Sequence, residues 1–224
     1  MIGERRKFRR EGEEKRRDAL IAAALDLVAE SGPAAATVRA IASKAGVTAG
    51  LIRHYFRSKE DLTRAAYQAH MARMTEDNFA MVDAAPNSPE ARLAAFVAAS
   101  LRPPVVDERT MGLWAGFMAE VRRDPEMRKV HENGYLNYRR LLESLIGALP
   151  CHRRSSRLTV LAIACNGLLD GLWLEGCALP DAFADDELVR VGIEAVGAIL
   201  GVNLVPHLPE LPGQAKVSSE KSLS

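Results

Sequence analysis

The sequence of 224 residues predicts an all-α protein with about nine helices. Apolar residues recur at the three- and four-residue spacing of a helix, as from Leu20 to Val28. Capping residues precede several of these runs, and Ser88 and Asp124 stand directly before a proline at the first helical position. The alternating pattern of a strand is nearly absent. These observations favour a helical architecture without a sheet.

The first third of the chain accommodates four helices, which the pattern places at 20–31, 37–46, 48–54 and 58–82. Gly32 and Pro33 end the first helix. Thr37 and Thr48 precede the next two as capping residues, and Ser58 with an acidic residue three positions later matches a capping box. The later helices are expected at 89–102, 109–123, 125–147, 156–178 and 185–201.

Charge is distributed unevenly, although the net charge of the chain is only +1. Residues 1–64 carry 14 basic and 9 acidic side chains, whereas residues 65–224 carry 16 and 20. The first segment is therefore a candidate for binding an anionic partner. A solvated, charged segment without a partner is the alternative.

The cysteines and the apolar stretches favour a cytoplasmic protein. The three cysteines show no metal-ligand spacing, and the charged N-terminus does not resemble a secretory signal. The longest apolar stretch, Leu158–Leu179, contains Asn166, Asp170 and Glu175, which make membrane insertion costly. We expect no metal, no cofactor and no membrane, and we interpret this stretch as a buried helix.

A helix-turn-helix needs a small residue where two helices cross, a glycine in the turn and an apolar anchor in the second helix. Ala42, Gly46 and Ile52 supply these at the matching spacing. In the second helix Thr48 and Arg53 stand beside this apolar anchor. A plain helical hairpin in which the same small and apolar residues form only core is the alternative.

The residues of this region resemble the TetR family of repressors. The likeness lies in the segments GVTAG at 46–50, HYF at 54–56 and SKEDL at 58–62, preceded by TVRAIA at 37–42. The resemblance implies that Thr37, Tyr55 and Lys59 hold phosphates while the helix from Thr48 to His54 enters the major groove. The predicted DNA-binding residues are Thr37, Thr48, Ala49, Gly50, Arg53, His54, Tyr55 and Lys59.

The family often has an aromatic residue at the position of Arg53 and a polar residue at the position of Leu51, so both residues depart from its pattern. We hypothesise that Arg53 contacts guanine, whose O6 and N7 suit a guanidinium. The basic N-terminal arm adds backbone or minor-groove contacts in one interpretation and serves only as a solubilising tail in the other.

Two C-terminal helices each contain a pair of glycines four residues apart, Gly167 with Gly171 and Gly197 with Gly201. Glycine inside a helix costs about 1 kcal/mol relative to alanine, so close helix approach is a plausible compensation. We predict that these helices form a four-helix bundle in a homodimer, as the resemblance also implies. A monomer core is the alternative.

The segments GLWAGFMAE and LLDGLWLEG resemble the BetI subgroup of this family, the choline-responsive repressors. Tryptophan faces and carboxylates suit a quaternary ammonium, so choline, betaine aldehyde or another small cation is the expected effector. A neutral or acidic metabolite, and plain core roles for the aromatics, remain open. The candidate ligand-binding residues are Trp114, Phe117, Met118, Asn166, Asp170 and Trp173.

The expected organisation is a flexible basic arm at 1–14, a three-helix DNA-binding domain at 15–60, a ligand-binding and dimerisation domain at 61–202 and a disordered tail at 203–224. The function predicted is a ligand-responsive repressor, with an activator as the alternative. A small helical enzyme is disfavoured because no catalytic motif is present. A redox sensor and a protein-binding adaptor are the other classes considered.

Overall fold

In a computed structural model the described residues are 2–153 and 155–210, with side chains described from residue 12 onward. These residues form helices joined by loops and contain no strand. The helices are α1 (Ile2–Ser31), α2 (Val38–Lys44), α3 (Ala49–Tyr55), α4 (Lys59–Ala84), α5 (Pro89–Leu101), α6 (Glu108–Arg123), α7 (Pro125–Ala148), α8 (Leu158–Ala178), α9 (Glu187–Leu200) and a short 3-10 helix η1 (Val205–His207). The all-α prediction is confirmed.

The chain divides into two compact units, each with its own core. Unit 1 holds the described residues up to Thr75 together with Glu108–Leu136, and unit 2 holds Glu76–Asp107 together with the described residues from Asn137 onward. Both α4 and α7 contribute residues to each unit. This division differs from the expected boundary at residue 60, because α6 belongs with the N-terminal helices.

Close packing of α6 against α1 explains that difference. A Cβ added at Gly112 of α6 would lie 2.8 Å from the carbonyl oxygen of Ala29, and one at Gly116 would lie 2.9 Å from Val28. Only glycine lets the two helices approach this closely. The side chain of Arg109 also donates to Asp26 of α1 at 2.6 Å.

Unit 2 is built on α5, in which nine of thirteen residues are buried. At its end the guanidinium of Arg102 is 8% exposed and donates to both carboxylate oxygens of Asp186, at 2.8 and 2.5 Å. It also donates to the carbonyl oxygens of Pro209, at 2.8 Å, and Glu210, at 3.4 Å. This one side chain therefore joins α5, the start of α9 and the segment after η1.

Two segments that were expected to lack structure are partly ordered. Residues 2–14 form the first turns of α1, so the flexible arm is wrong for these residues. The segment is rich in arginine and glutamate, which are good helix formers, and contains no proline. The tail expected from residue 203 includes η1 and the carbonyl groups that Arg102 holds. Residues 211–224 lie outside the described residues.

Helix α8 is long and apolar enough to cross a membrane by length and composition, and only 22% of its most apolar 18-residue window is buried within the chain. Interior and interface helices share this composition, so the criterion alone assigns no membrane role. Val160, Ile163 and Leu174 are between 45% and 55% exposed on this helix. The single chain therefore leaves part of this helix exposed, and its predicted burial would need the partner chain of the predicted dimer.

Candidate nucleic-acid interface

The turn between α2 and α3 is set by Gly46. Its φ of +65° lies in the left-handed region, which disfavours residues with a Cβ. The amide of Gly46 donates to the carbonyl of Ser43, and the amide of Val47 donates to that of Ala42. These two hydrogen bonds form a Schellman motif, which ends α2 and redirects the chain into α3.

Helix α3 is anchored by two apolar side chains and exposes its polar ones. Ile52 and its neighbour Phe56 are 2% and 3% exposed in the core of unit 1. On the opposite side Arg53 and His54 are exposed, and Tyr55 is half-buried with its ring edge-on to that of His54. The helix therefore presents hydrogen-bonding groups on a fixed backbone.

The remaining predicted contact residues are also at the surface. Thr48, Ala49 and Gly50 are exposed at the N-terminus of α3, as is Thr37 before α2, and Lys59 is half-buried at the start of α4. Exposed amides at helix N-termini and an ammonium group suit phosphate oxygens. All eight predicted residues thus lie in unit 1 at positions open to solvent.

The predicted caps are correct at two of three helices. Thr37 Oγ1 accepts from the amide of Ala40 at 3.1 Å, and Ser58 Oγ accepts from that of Asp61 at 3.2 Å. Thr48 occupies the N-cap position of α3 with an extended backbone, but its side chain makes no capping hydrogen bond. Because the Thr48 hydroxyl makes no capping hydrogen bond, it can contact a ligand instead.

Arg17 of α1 contributes to this surface, although no motif indicated it. Its guanidinium carbon lies 5.3 Å from the centre of the Phe56 ring, within the range of cation–π attraction. Phe56 directly follows Tyr55, so α1 passes beside the C-terminus of α3. The only sequence signal for this contact is the density of arginines before Leu20.

Helices α4, α6 and α7 hold the interface residues from behind through a buried aromatic cluster. The hydroxyl of Tyr67 lies 2.7 Å from Nδ1 of His131, and its ring packs against Phe117 with centroids 4.6 Å apart. Burial raises the pKa of Tyr67 and lowers the pKa of His131, whose charged form it disfavours. Arg64 of α4 also donates to Asp124 at 2.9 Å.

The candidate ligand-binding residues fall into both units. In unit 1, Trp114 is 42% exposed, Met118 is half-buried and Phe117 is fully buried against Tyr67. Phe117 is therefore packed in the core of unit 1, and its place in a ligand pocket stays a prediction. Its position on the α6 face that packs on α4 accounts for its burial.

In unit 2 the three candidates make contacts of their own. The side-chain amide of Asn166 donates to the carboxylate of Asp170 one turn later in α8, at 2.8 Å. The indole of Trp173 donates to the carbonyl of Val105, after the end of α5, at 2.8 Å. The indole N–H of Trp173 thus holds the segment that follows α5.

The four glycines predicted at a dimer interface have different environments. Gly167 and Gly171 are exposed on α8 with no other part of the chain within 4 Å of a Cβ. Gly197 is buried instead, and a Cβ there would lie 2.7 Å from the carbonyl oxygen of Val202. Gly201 has φ +65° and ends α9. The last two glycines therefore serve the fold of unit 2. Burial of Gly197 within the chain corrects its predicted place at the interface, whereas the interface role of the exposed Gly201 stays a prediction.

Buried thiols in unit 2 bear on the redox alternative. Cys165 and Cys177 are buried in α8, and burial raises the pKa of Cys165 to about 11. At neutral pH such a thiol is almost entirely protonated, and the protonated form reacts slowly with oxidants. This argues against oxidation of Cys165 as a signal.

Comparison with protein families identifies both parts of the chain. Residues 20–66 match the bacterial regulatory proteins of the tetR family, and residues 89–201 match the C-terminal domain of BetI-type transcriptional repressors. The HTH-type transcriptional regulator BetI of Pseudomonas fluorescens is 32% identical over 80% of this chain and 90% of its own length. BetI of Paraburkholderia phytofirmans is 29% identical over 84% of this chain and 94% of its own length.

Solved structures share the fold. A transcriptional regulator from Pseudomonas aeruginosa PAO1 is 30% identical, with a TM-score of 0.77 over 87% of this chain and 94% of that one. A transcriptional regulator from Saccharomonospora viridis, solved in complex with choline, has a TM-score of 0.69 at 18% identity over 82% of this chain and 96% of that one.

Proposed function

Because the chain belongs to the TetR family of bacterial transcriptional regulators, in its BetI-type branch, we propose that it represses transcription as a homodimer on a palindromic operator. The family is one of DNA-binding regulators and not of enzymes. The observation that carries the proposal is the geometry of α3, in which Ile52 and Phe56 are buried while Arg53 and His54 face solvent. The protein would act in the cytoplasm, where its DNA is.

In this proposal α3 lies in the major groove and the surrounding groups fix its register. Thr37, Tyr55 and Lys59 contact phosphates, which position the helix without reading sequence. Arg53 contacts the O6 and N7 atoms of a guanine, and His54 and Thr48 contact neighbouring base edges. Ala49 and Gly50, at the N-terminus of α3, have almost no side chain, which lets the backbone approach the groove closely.

Replacing Arg53 with alanine tests this assignment. The variant should lose about 1–3 kcal/mol of affinity for the cognate operator and relax its preference at one base pair, while binding to random DNA changes little. Arg73→Ala is the matched control, since Arg73 is an exposed arginine on α4 well beyond Lys59. Equal losses on operator and random DNA would contradict base readout by Arg53.

Dimerisation through α8 and α9 is supported by the apolar surface that these helices expose. Val160, Ile163 and Leu174 on α8 lie beside Gly167 and Gly171, and a monomer rarely exposes such a continuous apolar face. On α9 the exposed apolar residues are Val191 and Ile199. Two copies packed on this face would bury it and set two α3 helices on one operator.

The mass of the protein in solution tests the dimer. We expect twice the chain mass by light scattering, and a monomer for Ile163→Glu, which places a charge in the apolar face. That variant should keep its helical circular dichroism and bind operator more weakly. A wild-type monomer that binds operator with full affinity would contradict the proposed dimer.

For the effector we propose a small organic cation such as choline or betaine aldehyde. Support comes from the BetI-type C-terminal match and from the choline bound to the Saccharomonospora viridis structure. An indole ring, of Trp114 in unit 1 or of Trp173 in unit 2, would attract the cation. Effector binding would favour a separation of the two α3 helices that no longer fits half-sites about 34–36 Å apart. Calorimetric titration with choline tests this, and absence of heat together with intact operator binding would contradict it.

A further inference from the structure

Arg17 lies on the side of α1 that carries the buried residues of this helix. It stands seven and eleven residues before the buried Ala24 and Val28, and these spacings complete nearly whole helical turns. Arg17 is nevertheless exposed to solvent. The tetR family match begins at residue 20, so the family assignment gives Arg17 no role.

The guanidinium of Arg17 is held against the α3–α4 junction, which is the segment 55–59. Its carbon atom lies 5.3 Å from the centre of the Phe56 ring, and cation–π attraction restricts a side chain that would otherwise be mobile. Phe56 is 3% exposed and caps the C-terminus of α3, so its ring is a fixed support. Within the part of the chain that the structure describes, the Arg17 side chain forms no hydrogen bond or ion pair. Its N–H groups therefore remain available to a ligand.

Two of the proposed phosphate contacts lie in the same junction. Tyr55 precedes Phe56 directly, and Lys59 begins α4 three residues after Phe56. Arg17, over the Phe56 ring, is therefore close to the path that a DNA strand would take along Tyr55 and Lys59. Phosphates follow one another at about 3.4 Å of helix axis along each strand, so several of them would pass this junction.

The charge of the α3–α4 junction suits an anion. Arg17, Arg57 and Lys59 bring three cationic side chains to it, and both arginines are exposed. The carboxylates that follow in the sequence are engaged at the start of α4. Asp61 accepts from the backbone amide of Arg57 at 3.1 Å, and a hydrogen bond from the backbone lowers the pKa of Glu60. These two carboxylates therefore serve the helix start and form no ion pair with Arg17 among the described residues.

We infer that Arg17 binds a phosphate of the DNA strand that passes the α3–α4 junction, beside the phosphates assigned to Tyr55 and Lys59. This rests on the proposed DNA-binding function and adds a contact from α1, outside the helix-turn-helix. A guanidinium can lie on an aromatic ring and donate to phosphate oxygens at the same time. Because Phe56 restricts this side chain before DNA arrives, less conformational entropy is lost on binding. The contact is independent of base sequence, so it strengthens binding to operator and to random DNA alike.

The salt dependence of DNA binding by the full chain tests this contact. Arg17→Gln removes the charge and keeps a good helix former. On a random-sequence duplex of about 40 bp, the steepness of log affinity against log salt should fall by about one for each bound chain, and so by about two for a dimer. Arg16→Gln is the matched control, since Arg16 is an exposed arginine about 100° away round the same helix. It removes the same charge, and its slope should stay within about 0.5 of the wild type.

Arg17→Lys keeps the charge and should restore most of the slope, whereas a slope like that of Arg17→Gln would count against a phosphate contact. A role confined to holding Phe56 would weaken folding and binding but leave the slope of Arg17→Gln unchanged, and that result would overturn the inference while the proposed function stands. An equal fall in Arg16→Gln would also overturn it, because net charge alone would then explain the effect. A wild-type chain that binds no duplex at low salt would instead overturn the proposed function itself.

Discussion

The ion pair between Arg102 and Asp186 provides the sharpest test of the packing in unit 2. The Arg102 and Asp186 side chains are 8% and 13% exposed, respectively. Changing Asp186 to asparagine removes only the charge, and asparagine tolerates the left-handed backbone at this position, where φ is 58°. Any loss of stability therefore reports on the pair and not on backbone strain.

The expected loss of stability depends on the hydrogen bonds that Arg102 keeps in the variant. Removing one partner of a buried pair costs about 3–5 kcal/mol, because the remaining charge stays buried. In the variant the guanidinium still donates to the carbonyls of Pro209 and Glu210, and the new amide oxygen accepts one hydrogen bond. We therefore expect a loss of about 2–3 kcal/mol, at or just below the lower bound of that range.

Urea unfolding at fixed protein concentration measures this loss, which corresponds to a midpoint shift of about 1 M at a slope of 2–3 kcal/mol per M. Asp83→Asn is the matched control. The side chains of Asp83 and its partner Arg92 are 71% and 38% exposed, and an exposed pair contributes less than about 1 kcal/mol. If the two variants unfold within about 0.5 kcal/mol of each other, burial does not govern the strength of these pairs and the reasoning fails.

Three further predictions concern unit 1. Ile52→Ala should reduce the free energy of unfolding by about 2–5 kcal/mol and weaken operator binding, because the side chain fills the core under α3; unchanged denaturation and gel shifts would contradict this. Gly112→Ala should lower the free energy of unfolding in urea, because overpacking against Ala29 costs about 1–3 kcal/mol and outweighs the gain in helix propensity. Gly12→Ala is its control and should not lower that free energy, since a Cβ there has nothing within 4 Å. His131 has a lowered pKa in the folded state, so stability should be full above pH 6.5 and fall as pH drops below it; His131→Asn should flatten that fall in pH-dependent melting curves.

The sequence predicted the helices well because their signals are local. Capping residues such as Thr37 and Ser58, and the proline after Ser88, act within one turn of the helix that they begin. The exposed and buried sides of α3 followed from the spacing of Ile52 and Phe56 in the same way. These features depend on residues that are near one another in the chain.

The errors arose where the decisive neighbour is distant in sequence. Gly112 and Gly197 look alike in a helical pattern, yet one packs on the backbone of α1 and the other on the segment after α9. The sequence likewise could not show that Phe117 packs on Tyr67, which lies fifty residues earlier in the chain. The domain boundary failed for the same reason, because the packing of α6 on α1 has no local signature.

The central claim is that α3 is a reading helix exposed on a fixed base, and selection of bound duplexes from a random pool tests it most directly. The full chain should enrich a palindrome whose half-site centres are about 34–36 Å apart, and Ile52→Ala should enrich it poorly. Recovery of no common sequence at low ionic strength, or of one that Ile52→Ala enriches equally well, would contradict the claim.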